Sequence, residues 1–327
     1  KLLNFKMSKR IIVTGGAGFI GSNLCDYLLN QENEIVCIDN FDDYYSFTLK
    51  QNNIKQALKN PNFTFINEDI KNKNKLSKII DGEFDAVIHL AAKAGVRYSI
   101  KNPIGYEEIN VQGTKSILEL AIQKNIEQFI FASSSSIYGN APTPFDENFT
   151  DLKPINPYAQ TKLLSEQIGK EYSEKYNLRF ISLRFFSVYG PRLRPDLVMN
   201  KIANSIYKNE KLRIFGDGST ARDYTYVDDI VLGIDKALNY KNTKFEVFNL
   251  GNGKPVKLSE IIQIFEKETN KKLKINNIEP INGESEITWA NNKKASELLG
   301  FKCQTDIEHG IKNYLTWYKN HCLWKKL

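Results

Sequence analysis

The chain has 327 residues, 41% of them hydrophobic and 25% charged, the profile of a globular protein with one large core and room for a smaller lobe. Its formal net charge of +7 arises at its ends, from Lys1, Lys6, Lys9 and Arg10 and from Lys319, Lys325 and Lys326. The stretch between is formally neutral, which argues against a nucleic-acid surface, and no run approaches the ~18 apolar residues of a membrane helix.

Cys25, Cys37, Cys303 and Cys322 lie far apart in sequence. They show neither a metal-ligand spacing nor a disulfide framework, so the expectation is a reducing cytoplasm and no metal. Met7 has the look of a natural start, and residues 1–6 are expected to be non-native or disordered.

Arg10–Thr14 is an apolar, β-branched run that predicts a buried strand. It meets Gly15-Gly16-Ala17-Gly18-Phe19-Ile20-Gly21, and a helical period follows from Ser22 to Leu29. Strand, glycine turn and helix start together make a phosphate site: Gly15 permits the turn, Gly18 admits a pyrophosphate and Gly21 lets helix pack on strand. Glu34–Ile38 predicts the second strand, ending at Asp39, an acid placed to bind both hydroxyls of an adenosine ribose and to repel a 2′-phosphate. NAD is therefore favoured over NADP.

Asn62–Ile66 reads as a third strand, followed by Asp69 and Ile70, which could hold an adenine edge and face. Phe84–Leu90 is the fourth, running into the small residues Ala91 and Ala92 and then Lys93. His89 reads as a packed strand residue, and with only three histidines a histidine-driven mechanism is not expected. An amphipathic helix is predicted over 103–124. Gln128–Ala132 is the fifth strand, opening into Ser133-Ser134-Ser135-Ser136 at the edge where a ligand crevice forms.

Tyr158-x-x-x-Lys162 opens the next helical run and places both residues on one face. An ammonium there should lower the phenol's pKa and make Tyr158 a base near neutral pH. Phe180–Phe186 is the sixth strand. Strands alternating with helices predict an α/β fold, a doubly wound parallel (Rossmann) sheet with a smaller mixed α/β lobe. The expected division is a dinucleotide domain over 7–190, with returns near 226–251, and a discontinuous lobe over 191–320.

These motifs resemble the extended short-chain dehydrogenase/reductase family over most of the chain. Within it, Asp39-Asn40-Phe41-x-Asp43-Tyr44-Tyr45, Ala94-Gly95-Val96-Arg97, Arg184-Phe185-Phe186-Ser187-Val188-Tyr189-Gly190-Pro191, Arg194-Pro195-Asp196 and Phe215-Gly216-Asp217-Gly218-Ser219-Thr220-x-Arg222-Asp223 are most similar to UDP-glucuronate 4-epimerases. The resemblance implies C4 epimerisation of a UDP-sugar through a 4-keto intermediate, with UDP-glucose or UDP-N-acetylglucosamine as the alternative substrates. It makes Ser134, Tyr158 and Lys162 catalytic. It assigns NAD to Gly15, Gly18, Phe19, Ile20, Gly21, Asp39, Asn40, Asp69, Ile70, Leu90, Ala91, Ala92, Lys93, Asn110, Ser133, Tyr158, Lys162, Phe185 and Val188.

Relatives that dehydrate or decarboxylate the sugar carry acids where this chain has Ser135 and Ser136. Those two residues with Ser134 and Ser187 are expected to form a hydroxyl-lined pocket for a C6 carboxylate. Arg222, Arg194 and Arg97 are the expected pyrophosphate arginines. Ile214 and Phe215 are expected to flank the uracil, and Glu284 to bind its ribose. The resemblance further implies a homodimer built from the helices near 103–124 and 157–176.

Overall fold

The computed structural model describes residues 8–279 and 285–322. Its strands are β1 (Arg10–Thr14), β2 (Glu34–Ile38), β3 (Phe63–Ile66), β4 (Ala86–His89), β5 (Gln128–Ser134), β6 (Arg179–Phe185), β7 (Ser187–Tyr189), β8 (Lys211–Phe215), β9 (Ala221–Tyr226), β10 (Phe245–Leu250), β11 (Pro255–Lys257) and β12 (Lys274–Ile278). A seven-stranded sheet runs β10-β6-β5-β4-β1-β2-β3. It is parallel across β5, β4, β1, β2 and β3, with Val13 opposite Cys37 on one side and Ile88 on the other. Smaller sheets are β11-β9-β7 and β12-β8. Among the described residues no helix is long and apolar enough to cross a membrane.

The chain divides into two compact units. One holds the described residues up to Ala132, with Thr161–Ser182 and Ala237–Glu246. The other holds Ser133–Gln160, Leu183–Lys236 and the described residues from Val247 onward.

In the first unit the apolar runs are buried because helices cover the sheet. Ile12, Val36, Val87, Ile117 and Leu118 are at most 3% exposed. Phe180 stacks with Phe129 (5.4 Å), Phe131 (5.6 Å) and Phe245 (6.0 Å), giving β5, β6 and β10 a shared aromatic layer.

The predicted helix over 103–124 forms, with a π-helical turn inside it. It is Pro103–Glu107, a π-helical turn over Glu108–Gln112, and Gly113–Gln123. The Asn110 carbonyl in this turn accepts from the hydroxyls of Thr114 and Ser165. These side-chain bonds satisfy a carbonyl where the regular ladder is broken. β5 is also longer than predicted. It continues through Ser133 and Ser134, so the serine run is half strand and half the 3₁₀ turn Ser135–Tyr138.

Gly169, on the helix Pro157–Tyr176, packs on the aromatic layer: an added Cβ would stand 2.1 Å from a Phe180 ring carbon. Alanine in a helix interior gains about 1 kcal/mol over glycine. Overpacking a fixed ring costs about 1–3 kcal/mol, and Phe180 is fully buried in its stack. Gly169→Ala should therefore destabilise the protein, read as a lower urea midpoint with an unchanged slope.

Candidate active site

The sequence-derived candidates form two groups, one in each compact unit. In the first unit, Gly15 takes a left-handed conformation (φ 71°) directly after β1. A Cβ there would lie 2.7 Å from Ala91 N and 2.9 Å from the Leu90 carbonyl carbon, so the loops after β1 and β4 touch. Between these strands the winding of the sheet reverses, which is where open α/β sheets hold ligands.

The helix Phe19–Asn30 begins at Gly18 without a side-chain cap, leaving the N–H groups of Phe19, Ile20 and Gly21 at its positive end. A Cβ on Gly21 would meet Gly15 O at 2.2 Å. One on Gly18 would meet, among the described residues, Gly15 O alone within 4 Å, at 3.1 Å. Asp39 is buried at the end of β2, and its carboxylate accepts from Ala17 N–H (3.1 Å) and Phe41 N–H (2.8 Å). Burial raises its pKa, opposed by those backbone donors and by Lys50. Gly18, the uncapped helix and this carboxylate suit a dinucleotide, with pyrophosphate at the N–H groups and a ribose at Asp39.

Asn40 Nδ2 reaches Asp69 Oδ2 at 3.5 Å, so these two expected contacts stand together. Ile70 is 5% exposed and packs where a Cβ on Gly113 would sit, so it belongs chiefly to the core. Leu90, Ala91, Ala92 and Lys93 are half-buried. Asn110 grips the backbone of Lys93 from both sides: Lys93 N–H donates to Oδ1 (2.8 Å) and Nδ2 donates to Lys93 O (2.9 Å). Asn110 Nδ2 also donates to Thr161 Oγ1 (3.0 Å), one residue before Lys162.

Lys162 is 4% exposed, donates from Nζ to Ala132 O (2.6 Å) and lies 4.9 Å from the centre of the Phe131 ring. Burial pushes its pKa down to about 7, against the opposing charge of Glu166. His89 is buried, as expected for a packed strand residue, and bonds Thr14 Oγ1 (2.7 Å) and Thr114 Oγ1 (3.0 Å). Arg97 lies in this unit, on the short helix Val96–Lys101.

In the second unit Ser133 Oγ is buried with no hydrogen-bond partner among the described residues. Ser134 Oγ lies 2.8 Å from Ser136 Oγ, accepts from Ser136 N–H (3.2 Å) and bonds the Tyr158 hydroxyl. The expected drop in the Tyr158 pKa does not occur. Burial raises it, opposed by the Ser134 bond and the charge of Arg194. The physical reason is desolvation, which outweighs both.

Arg194 makes a two-pronged ion pair with Asp196, at 3.0 and 2.9 Å. Its fork is thus engaged, and its charge bears on the tyrosine. Arg222 Nη1 donates to the carbonyls of Ala221 (3.0 Å) and Glu286 (2.9 Å). Ser135 starts the 3₁₀ turn and Ser187 starts β7. Phe185 is buried and Val188 half-buried. Ile214 is 4% exposed on β8, and Phe215 beside it is half-buried. Glu284 falls outside the described residues.

Reading the sequence missed the polar scaffold beneath the serines. Arg184 Nη1 donates to Tyr138 Oη (2.9 Å), which donates to Asn249 Oδ1 (2.8 Å). Asp223 accepts from the N–H groups of Asn252, Gly253 and Ala290. A charged residue inside an apolar strand, such as Arg184, was the available signal. The structure also brings Cys25 and Cys37 into hydrogen-bond contact below Gly16, although they lie far apart in sequence.

The family model described as "NAD dependent epimerase/dehydratase family" matches residues 11–251. The chain belongs to the NAD dependent epimerase/dehydratase family. Within this family it is 38% identical to a UDP-glucuronate 4-epimerase of Thermodesulfobacterium geofontis, over 95% of this chain and 96% of that one. Its fold superposes with a TM-score of 0.89 on the Bacillus cereus UDP-glucuronic acid 4-epimerase solved with UDP-glucuronic acid and NAD, at 36% identity over 95% of this chain and 99% of the other. The Thermotoga maritima UDP-glucose 4-epimerase solved with UDP-glucose gives 0.87 at 29% identity, with the same coverage.

A lysine whose pKa is about 7 in the fold and 10.5 when free loses its proton earlier in the fold. Between those values the unfolded chain binds the extra proton, so stability rises with pH across that window. Relative to Lys162→Met, the parent protein should gain unfolding free energy from about pH 7 to about pH 10. Paired urea titrations check this, and a constant difference would contradict it.

Proposed function

We propose that this protein epimerises UDP-glucuronate at C4, giving UDP-galacturonate through a 4-keto sugar. The observation that carries the reading is the hydroxyl cluster of Ser134, Ser136 and Tyr158, with Arg194 acting on the phenol and Lys162 one turn along the same helix. Tyr158 Oη takes the proton from the sugar O4, and Ser134 Oγ holds that oxygen by a hydrogen bond. Lys162 holds the nicotinamide ribose. When bound, oxidised NAD supplies the hydride acceptor for C4 and a positive charge that favours phenolate.

The remaining groups select the sugar. Ser135, Ser136 and Ser187 offer hydroxyl donors to a C6 carboxylate, and no acid stands at 135 or 136 to drive elimination or decarboxylation. Arg222 binds the pyrophosphate. Arg194 joins it only by sharing its fork with Asp196. The first compact unit carries the cofactor and the second the nucleotide sugar. The working form is a cytoplasmic homodimer supplying an activated uronic acid to polysaccharide synthesis. Leu164 and Tyr176, 41% and 42% exposed on the helix Pro157–Tyr176, support a partner surface there.

Purified protein incubated without added cofactor should convert UDP-glucuronate, with UDP-glucose and UDP-N-acetylglucosamine run beside it. Turnover of a neutral sugar alone would move the assignment to the corresponding hexose epimerase. Tyr158→Phe should lower the rate by about a hundredfold or more while leaving bound NAD in place. A monomer in sedimentation at micromolar concentration would remove the dimer.

A further inference from the structure

His89 has no part in the proton transfers above, yet it joins the elements that surround the cofactor loop and Lys162. Its ring nitrogens meet Thr14 at the end of β1 and Thr114 on the helix Gly113–Gln123. The direction of each bond follows by elimination. The Thr114 hydroxyl has one proton and donates it to Asn110 O, because a carbonyl only accepts. Thr114 Oγ1 must then accept from His89, so Nε2 carries the proton. Nδ1 of the neutral ring is bare and accepts from the Thr14 hydroxyl. Thr14 Oγ1 in turn accepts from Ala91 N–H (3.2 Å).

We propose that His89 is a positioning residue, held as the neutral Nε2–H tautomer so that one rigid ring joins the Ala91–Lys93 loop to the turn around Asn110. At one end the series sets Ala91 N–H. At the other it sets the Asn110 carbonyl, and the Asn110 side chain grips Lys93 and Thr161. Ser165, on the helix of Lys162, shares its hydroxyl proton between that same carbonyl (3.0 Å) and Thr161 O (2.8 Å). The cofactor loop and the Lys162 turn are therefore indexed to one imidazole. The cationic ring would present two donors. Thr14 Oγ1 would then receive both Nδ1–H and Ala91 N–H, and its own proton would lose its acceptor. The ring faces Phe129 and Phe131, and the charged group acting on it is Lys162, which together with burial keeps it neutral.

The proposal rests on NAD occupying the first compact unit, and its test separates the two. In protein labelled with ¹⁵N-histidine, His89 should show a protonated Nε2 and a bare Nδ1, unchanged from about pH 8 to about pH 5. The only other histidines, His309 and His321, are exposed, and their signals are assigned apart from that of His89 by substitution. An Nδ1–H tautomer, or titration of His89 in that range, overturns the proposal whatever any variant does. In the second arm, Thr114→Val should speed NAD release by about tenfold, the effect of one lost buried hydrogen bond, and Thr114→Ser should restore it. A slower-folding or less stable Thr114→Val with unchanged NAD release marks a merely structural role and overturns the proposal. A parent protein that binds no NAD sinks the cofactor reading instead.

Discussion

A parallel sheet ends abruptly, and every backbone group freed at its carboxyl edge must still find a partner. That constraint shapes the edge of this protein. Asp39 takes the N–H groups of Ala17 and Phe41, Thr14 takes that of Ala91, and Asn110 takes both backbone groups of Lys93. Each of these side chains ties together segments that are distant in sequence. The loops at the edge are consequently held by short polar side chains, and Gly15 and Gly21 let neighbouring backbone pack directly against them.

Desolvation is the second organising force. It raises the phenol of Tyr158, lowers the ammonium of Lys162 to about 7 and lowers the imidazole of His89 to about 3. In each case the uncharged form is favoured, and pairing is too sparse to reverse it. Burial thus shifts each of these groups toward its neutral form, and a charge delivered with a ligand meets little competing solvent. Asp39 and Asp223 obey the same rule but sit among several backbone N–H donors.

Much was legible in the order of residues because the period of apolar positions and the placement of glycines are local properties. The ends of β1 and β2 match their apolar runs residue for residue. The π turn inside the helix over 103–124 was missed because hydrophobic period cannot register one. That turn coincides with contacts from Lys93, Thr161 and Ser165, all remote from it. The drop expected for Tyr158 was misread for a related reason. Helical spacing brings a lysine onto the same face but says nothing of how far water is excluded.

By itself, the sequence determined the alternation of strands and helices, the glycine turn, the acid after β2 and the Tyr158–Lys162 spacing. These depend on neighbours within a few turns of chain. Only the tertiary structure decided which nitrogen of His89 is protonated and that Ser134 bonds Tyr158. Those outcomes depend on burial and on partners brought from distant segments, and neither quantity is encoded at any single position.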